Sequence, residues 1–236
     1  MKTFLLIHGG SHGAWCWEPL VAALEARGHA ALAFDLPGHG ADRTPRRGID
    51  RQTYVDAIVR YIRDKDLRRF LLVGHSLAGT VLPEVWSQEG DRIDGVVFLA
   101  ALVLGAGEAT IDLVPEERRS GYYDSAARRA DRSFVLDPAR ARELFYNDCS
   151  DEDAARYCRK LTPQPFGVYL DRCRTAIRLP REVVRYILCT GDRALPEDLC
   201  LGCAAKLGVD AERFAAGHCA MLTQPARLAE VLLGPA

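Results

Sequence analysis

Six short runs of apolar residues punctuate the chain: TFLLIHG, ALAFDLPG, RFLLVGH, IDGVVFLAA, VVRYILCTGD and ERFAAGH. Uninterrupted apolar runs of this length predict strands buried on both faces, the pattern of a parallel sheet. The segments between them carry a different period. Val55, Ile58, Val59 and Ile62 fall on one face of a helix expected over 51–64, and similar spacing predicts helices at 15–27, after Ser76, in PEDLCLGCAAKLG and at 225–233. Alternating strands and helices imply an α/β fold, a mainly parallel sheet of about six strands with helices on both faces. Such sheets take ligands beyond the carboxyl ends of their strands. His8, Ser76, Asp192 and His218 all fall there.

The alternation breaks over residues 103–180. This stretch holds several helix-like segments and the aromatic side chains Tyr122, Tyr123, Phe134, Phe145, Tyr146, Tyr157, Phe166 and Tyr169. It has no repeat, low-complexity tract or Gly/Ser linker at its borders. The expectation is one domain: a core of residues 1–102 and 181–236, with 103–180 as a mostly helical cap over the strand ends.

The run RFLLVGH passes directly into Ser76, Leu77, Ala78 and Gly79. A strand entering a helix at once needs a sharp turn, and small neighbours permit it. The G-x-S-x-G elbow uses such a turn to raise a serine hydroxyl above a sheet; here Ala78 stands at the last position and Gly79 follows. A serine becomes a nucleophile only when a base takes its proton and an acid orients that base. His218, in AAGHCAML, and Asp192, at the end of RYILCTGD, complete the order Ser, Asp, His. Candidate donors for a developing oxyanion are the backbone N–H groups of Gly10, just past the first strand, and Leu77. Asp35 also ends a strand, but its place in that order fits a loop brace better. Pro83 predicts a kink or an early end in the helix after Ser76.

Composition excludes other classes. The formal net charge is −1 over 236 residues, so no global field favours nucleic acid or an anionic membrane. The arginine-rich stretch EERRSGYYDSAARRADR carries interleaved acids, as a solvated surface does. No run approaches the ~20 apolar residues of a membrane helix, and the opening residues lack a signal-peptide core, so the chain reads as cytoplasmic. The single CxxC, Cys200 and Cys203, has no second pair to complete a metal site.

The chain resembles the plant methylesterase and hydroxynitrile lyase family of α/β-hydrolases, which includes the salicylate-binding methylesterases. The resemblance is carried by LLIHGGSHGAWCWEPLVAALEARGHAALAFDLPGHG, LLVGHSLAG, YILCTGDRALPEDL and GHCAMLTQP, and in the insertion by FYNDCSDEDAARYCRKLTPQP. It implies the α/β-hydrolase fold, Ser76, Asp192 and His218 as a catalytic triad, and Gly10 and Leu77 as oxyanion donors. Lyases of this family carry threonine where Gly9 stands, an acidic residue at His75 and lysine at Cys219; all three positions here match the esterase side.

These readings converge on a serine carboxylic ester hydrolase working through an acyl-enzyme without a cofactor. Its expected partner is a small, largely apolar ester, such as a methyl ester of an aromatic acid. Gly9, Trp17, His75, Tyr122, Tyr123, Phe134, Cys219 and Met221 are the candidate substrate contacts, and an exposed face of the insertion could support a homodimer. The alternatives are a biosynthetic thioesterase, lactone hydrolase or cyclase, a hydroxynitrile lyase, and a non-catalytic small-molecule receptor or carrier.

Overall fold

The computed structural model describes residues 1–174 and 176–234. Strand β1 (Thr3–Ile7) leads to helix α1 (Glu18–Glu25), β2 (Ala30–Ala33), α2 (Arg51–Asp64), β3 (Phe70–His75), α3 (Leu82–Glu89) and β4 (Ile93–Leu99). The chain then leaves the sheet for α4 (Glu116–Ala127), β5 (Ser133–Phe134), α5 (Pro138–Phe145), α6 (Asp151–Cys158), β6 (Gln164–Pro165) and α7 (Gly167–Leu170). It returns through β7 (Val184–Cys189), α8 (Glu197–Leu207), β8 (Ala211–Phe214), α9 (Ala220–Thr223) and α10 (Pro225–Leu233).

The sheet has six strands in the order β2-β1-β3-β4-β7-β8, and every neighbouring pair is parallel. Successive strand side chains point to opposite faces, so the apolar runs feed two cores. From β1, Leu5 and Ile7 pack toward α2, α3 and α8, while Phe4 and Leu6 pack toward α1 and α10. The central strands supply both layers, Leu72 and Phe98 to the first, Val73 and Leu99 to the second. This two-sided burial explains why the strand sequences lack polar alternation. Helix α2 is fixed at its start by a capping box between Asp50 and Thr53.

Two helices differ from the sequence expectation, both through proline. The predicted helix over 15–27 is a short 3₁₀ turn, Ala14–Trp17, followed by α1. Pro19 lies in the first turn of α1, where its missing N–H costs nothing. In the same way the helix after Ser76 splits into a 3₁₀ turn, Ser76–Thr80, and α3, with Pro83 in the opening turn of α3. Pro83 therefore ends one element and starts the next.

Within residues 103–180 the antiparallel pair β5–β6 joins Phe134 to Gln164. Two-residue strands carry no periodicity, so no pattern in the sequence predicts them. Around this pair Ile111, Ala126, Phe134 and Phe166 form a separate small core, with Tyr122 and Tyr169 against it. Cys200 and Cys203 face the main core from α8. Among the described residues no helix is long and apolar enough to cross a membrane, and no group of three or more His, Cys, Asp or Glu could hold a metal ion.

Candidate active site

Ser76 sits directly beyond β3 with φ +53°, in the left-handed region. A side chain held there is strained, and the neighbours hold it: Leu102 donates its N–H to the Ser76 carbonyl at 3.0 Å. The tightness of the turn is enforced at Gly74 and Gly79. A Cβ on Gly74 would lie 2.6 Å from Leu82 Cδ1, and one on Gly79 would lie 2.5 Å from the Leu102 carbonyl oxygen. Ala78 is buried, its methyl group accommodated in the core beside α3. The steric demand thus falls one residue beyond the motif's last position.

Three side chains distant in sequence meet at this turn. His218 Nε2 lies 3.1 Å from Ser76 Oγ, and His218 Nδ1 lies 2.7 Å from Asp192 Oδ2. The Asp192 and His218 side chains are each 1% exposed. Asp192 is itself fixed, because Oδ1 accepts the N–H groups of Ala194 and Leu195 at 2.7 and 2.9 Å. The His218 ring stacks on Phe145 with centroids 5.4 Å apart. Residues 147–148, between α5 and α6, hold both loops: Asn147 Nδ2 donates to the Gly191 carbonyl at 3.0 Å, and Asp148 Oδ2 accepts the Gly217 N–H at 2.7 Å.

The loop after β1 is ordered by two buried imidazoles. Leu36 donates its N–H to His8 Nε2 at 3.0 Å, so the His8 proton resides on Nδ1 and is donated to the Gly9 carbonyl at 2.8 Å. A trans peptide directs its N–H opposite to its C=O, so this bond sets the direction of the Gly10 N–H. His12 Nδ1 donates to the Gly10 carbonyl at 2.8 Å, and its Nε2 accepts from the Tyr146 hydroxyl at 2.9 Å. Burial pushes both rings down, His8 to about 4 and His12 to about 3, and keeps them neutral. Leu77 lies at the start of a 3₁₀ turn, where an amide has no partner one turn earlier. Gly10, Ser76 and Leu77 all border one cavity of about 480 Å³, within the usual range for small-molecule sites.

The sequence profile of the alpha/beta hydrolase family matches residues 4–231. The chain belongs to that family. The chain is 30% identical to the probable esterase PIR7A of Oryza sativa over 98% of its own length and 95% of that protein's. It is 31% identical to the pheophorbidase of Raphanus sativus over 69% of its own length and 65% of the relative's. It spans from 47 to 71% of the length of a series of chloroplastic Arabidopsis thaliana proteins assigned as methylesterases. Among solved structures it superposes on an extracellular α/β-hydrolase from a Paenibacillus species with TM-score 0.88 and 25% identity, covering 99% of this chain and 98% of that one. That protein is described as sharing structural and functional homology with tobacco salicylic acid binding protein 2.

The fold places only part of the expected substrate contacts on the cavity. Tyr122 and Phe134 line it, their rings meeting edge to face 4.9 Å apart. Trp17 and Met221 do not; both are fully buried in the core layer facing α1 and α10, drawn there by apolar area. Tyr123 points the other way on α4, is 47% exposed and packs on Phe166. Cys219 is buried behind the site with Sγ 3.6 Å from His12 Nε2. Gly9 and His75 lie beneath the elbow and do not border the cavity: a Cβ on Gly9 would meet Ser76 Cβ at 2.8 Å and His75 Nδ1 at 3.0 Å. Adjacency in sequence to Ser76 and His218 thus led to the wrong side of the backbone. The walls come instead from Leu102, Val114, Leu136, Leu144, Tyr169 and Leu195. Apolar residues in loops and short helices carry no signal that separates a pocket wall from a core position.

Asp35 braces two loops, accepting the N–H of Ala14 at 2.7 Å and of Ala41 at 2.8 Å.

Proposed function

We propose that the chain is a serine carboxylic ester hydrolase in which Ser76, His218 and Asp192 form the catalytic triad. The reading is carried by one observation, the continuous hydrogen-bonded line from Asp192 through His218 to Ser76 at the floor of the cavity. His218 Nε2 takes the Ser76 proton as Oγ attacks the ester carbonyl, and Asp192 stabilises the imidazolium that forms. The carbonyl oxygen becomes an oxyanion facing the amides of Gly10 and Leu77. Collapse of the tetrahedral intermediate breaks the C–O bond, and His218 protonates the departing alcohol. Water, with His218 as base, then releases the acid and restores Ser76. Every proton moves between side chains of the triad and the substrate, so the chemistry requires no cofactor.

The substrate class is a small, largely apolar ester, such as a short-alkyl ester of an aromatic acid. Tyr122, Phe134, Leu136 and Leu144, all from residues 103–180, favour such an acyl group; that segment acts as the cap. The names of the relatives, an esterase and a pheophorbidase, point the same way. Hydrolysis is favoured over the lyase reaction of the resembling family on two grounds. Cys219 supplies no cation beside His218, and a threonine at Gly9 would collide with Ser76.

Turnover of p-nitrophenyl acetate by the wild type, reduced on the order of 10⁶-fold in kcat by Ser76→Ala, is the expected result. Equal rates from the two proteins would refute the proposal. Brief exposure to an ester library followed by intact-protein mass spectrometry should add an acyl mass to the wild type and none to S76A.

A further inference from the structure

Ser11 follows the proposed oxyanion donor Gly10 and has φ +62°, an unfavourable conformation for a residue with a side chain. A closed ring of hydrogen bonds holds it there. Ser11 donates its N–H to Gln164 Oε1 at 3.0 Å, and Gln164 Nε2 donates to the Tyr54 hydroxyl at 3.2 Å. The Tyr54 hydroxyl lies 2.7 Å from His39 Nε2, and His39 Nδ1 lies 2.9 Å from Thr162 Oγ1. Thr162 Oγ1 donates to the Ser11 carbonyl at 3.3 Å, with the Thr162 N–H reaching the same oxygen at 2.8 Å.

The ring has one consistent direction. Gln164 occupies the Tyr54 oxygen as a donor, so the Tyr54 proton goes to His39 Nε2. His39 then donates from Nδ1 to Thr162, whose hydroxyl proton goes back to Ser11. Burial lowers the His39 pKa well below its ordinary value and keeps the ring in the neutral form this direction requires. Gln164, Tyr54 and His39 are each at most 1% exposed, so water cannot replace a missing partner.

We propose that Gln164, reaching down from the insertion, is a positioning residue for the oxyanion amide of Gly10. The peptide joining Gly10 to Ser11 is held at both ends, its carbonyl by His12 and its N–H by Gln164. Gly10 has no Cβ to limit its rotation, and the space a Cβ would take is closed by Gln164 Oε1 at 3.0 Å. Without the Gln164 acceptor, Ser11 can relax out of its left-handed conformation and turn the Gly10 N–H away from the carbonyl oxygen. The pair β5–β6 couples this to the acyl pocket, because Gln164 pairs with the wall residue Phe134.

This inference rests on the ester-hydrolase reading, and the test separates the two. Gln164→Met keeps the length of the side chain and removes its hydrogen bonds to Ser11 and Tyr54, along with the one from Nε2 to the Pro165 carbonyl. It should lower kcat for p-nitrophenyl acetate roughly ten- to hundredfold with KM within about twofold. The Ki of a trifluoromethyl ketone, whose serine adduct carries the oxyanion, should rise by the same factor. Binding of the matching unreactive amide should not change. Q164E, which keeps an acceptor for Ser11, should recover part of kcat, and Tyr54→Phe should lose a smaller part of it. A Q164M enzyme with wild-type kcat, or one losing amide binding as much as ketone binding, would overturn the proposal. If Q164M does not fold, Y54F decides it: full kcat and unchanged ketone affinity would overturn it. Absence of Ser76-dependent turnover in the wild type counts against the hydrolase reading. Full turnover in Q164M beside an inactive S76A counts against the positioning role alone.

Discussion

His75 Nε2 donates to the carbonyl oxygen of His218 at 2.9 Å, so the residue before the proposed nucleophile holds the backbone of the proposed base. The contact ties the end of β3 to the loop after β8, which are not neighbours in the sheet. His75→Phe retains ring volume and leaves the carbonyl unpaired, at a cost of about 1–3 kcal/mol. Urea denaturation should show that loss, and kcat should fall several-fold as His218 shifts. Wild-type values for both would show that the contact carries no weight.

Asp192→Asn tests the orientation of the base. Two backbone N–H groups bond to Oδ1, so the asparagine must turn its oxygen toward them and its NH₂ toward His218 Nδ1. That forces the wrong tautomer. A loss of about 10³–10⁴ in kcat is expected with little change in fold. A D192N enzyme within tenfold of wild type would contradict the assigned role.

The left-handed Ser76 predicts opposite responses of activity and stability. Ser76→Ala and Ser76→Gly should both be inactive. Because glycine tolerates φ +53°, S76G should be more stable than S76A by about 0.5–1 kcal/mol in denaturant melts. Equal stability of the two would mean that the elbow is not strained.

Gly9→Ala places a methyl group 2.8 Å from Ser76 Cβ, against a backbone turn that cannot yield freely. Overpacking of this kind costs about 1–3 kcal/mol, and displacement of Ser76 should lower kcat at least about tenfold. Retained activity in G9A would show that the β1 loop moves more easily than the contact implies.

Four buried histidines make the fold acid-sensitive. His8 is lowered to about 4, His12 to about 3, and His39 and His75 well below 6.5, all chiefly by burial. Below pH 6.5 the unfolded chain takes up protons that the folded chain refuses. Their stabilisation is therefore complete above pH 6.5 and declines as the pH falls toward the folded values. Each contributes a slope approaching about 1.4 kcal/mol per pH unit. Urea midpoints at pH 7, 6 and 5 should fall steadily; a flat profile would mean that these rings protonate in place.

Much of this protein was legible from sequence because its strongest signals are local or periodic. Doubly buried strands must be apolar throughout, so the six runs marked the sheet. The small residues around Ser76 marked a turn, and the glycyl and histidyl positions at strand ends marked where chemistry belongs. What remained hidden depends on direction rather than composition. Trp17 and Met221 look like pocket residues by proximity, yet the core claims them, while Leu144 and Tyr169 reach the cavity from the short helices α5 and α7. The ring through Gln164, Tyr54, His39 and Thr162 joins side chains more than a hundred residues apart. Its members are ordinary polar residues until folding removes water and leaves them to bond their neighbours along the ring. Pattern along the chain determined the layers and the candidate chemistry; only tertiary structure decided which groups face one another, because hydrogen-bond direction and buried space exist only once the segments are packed.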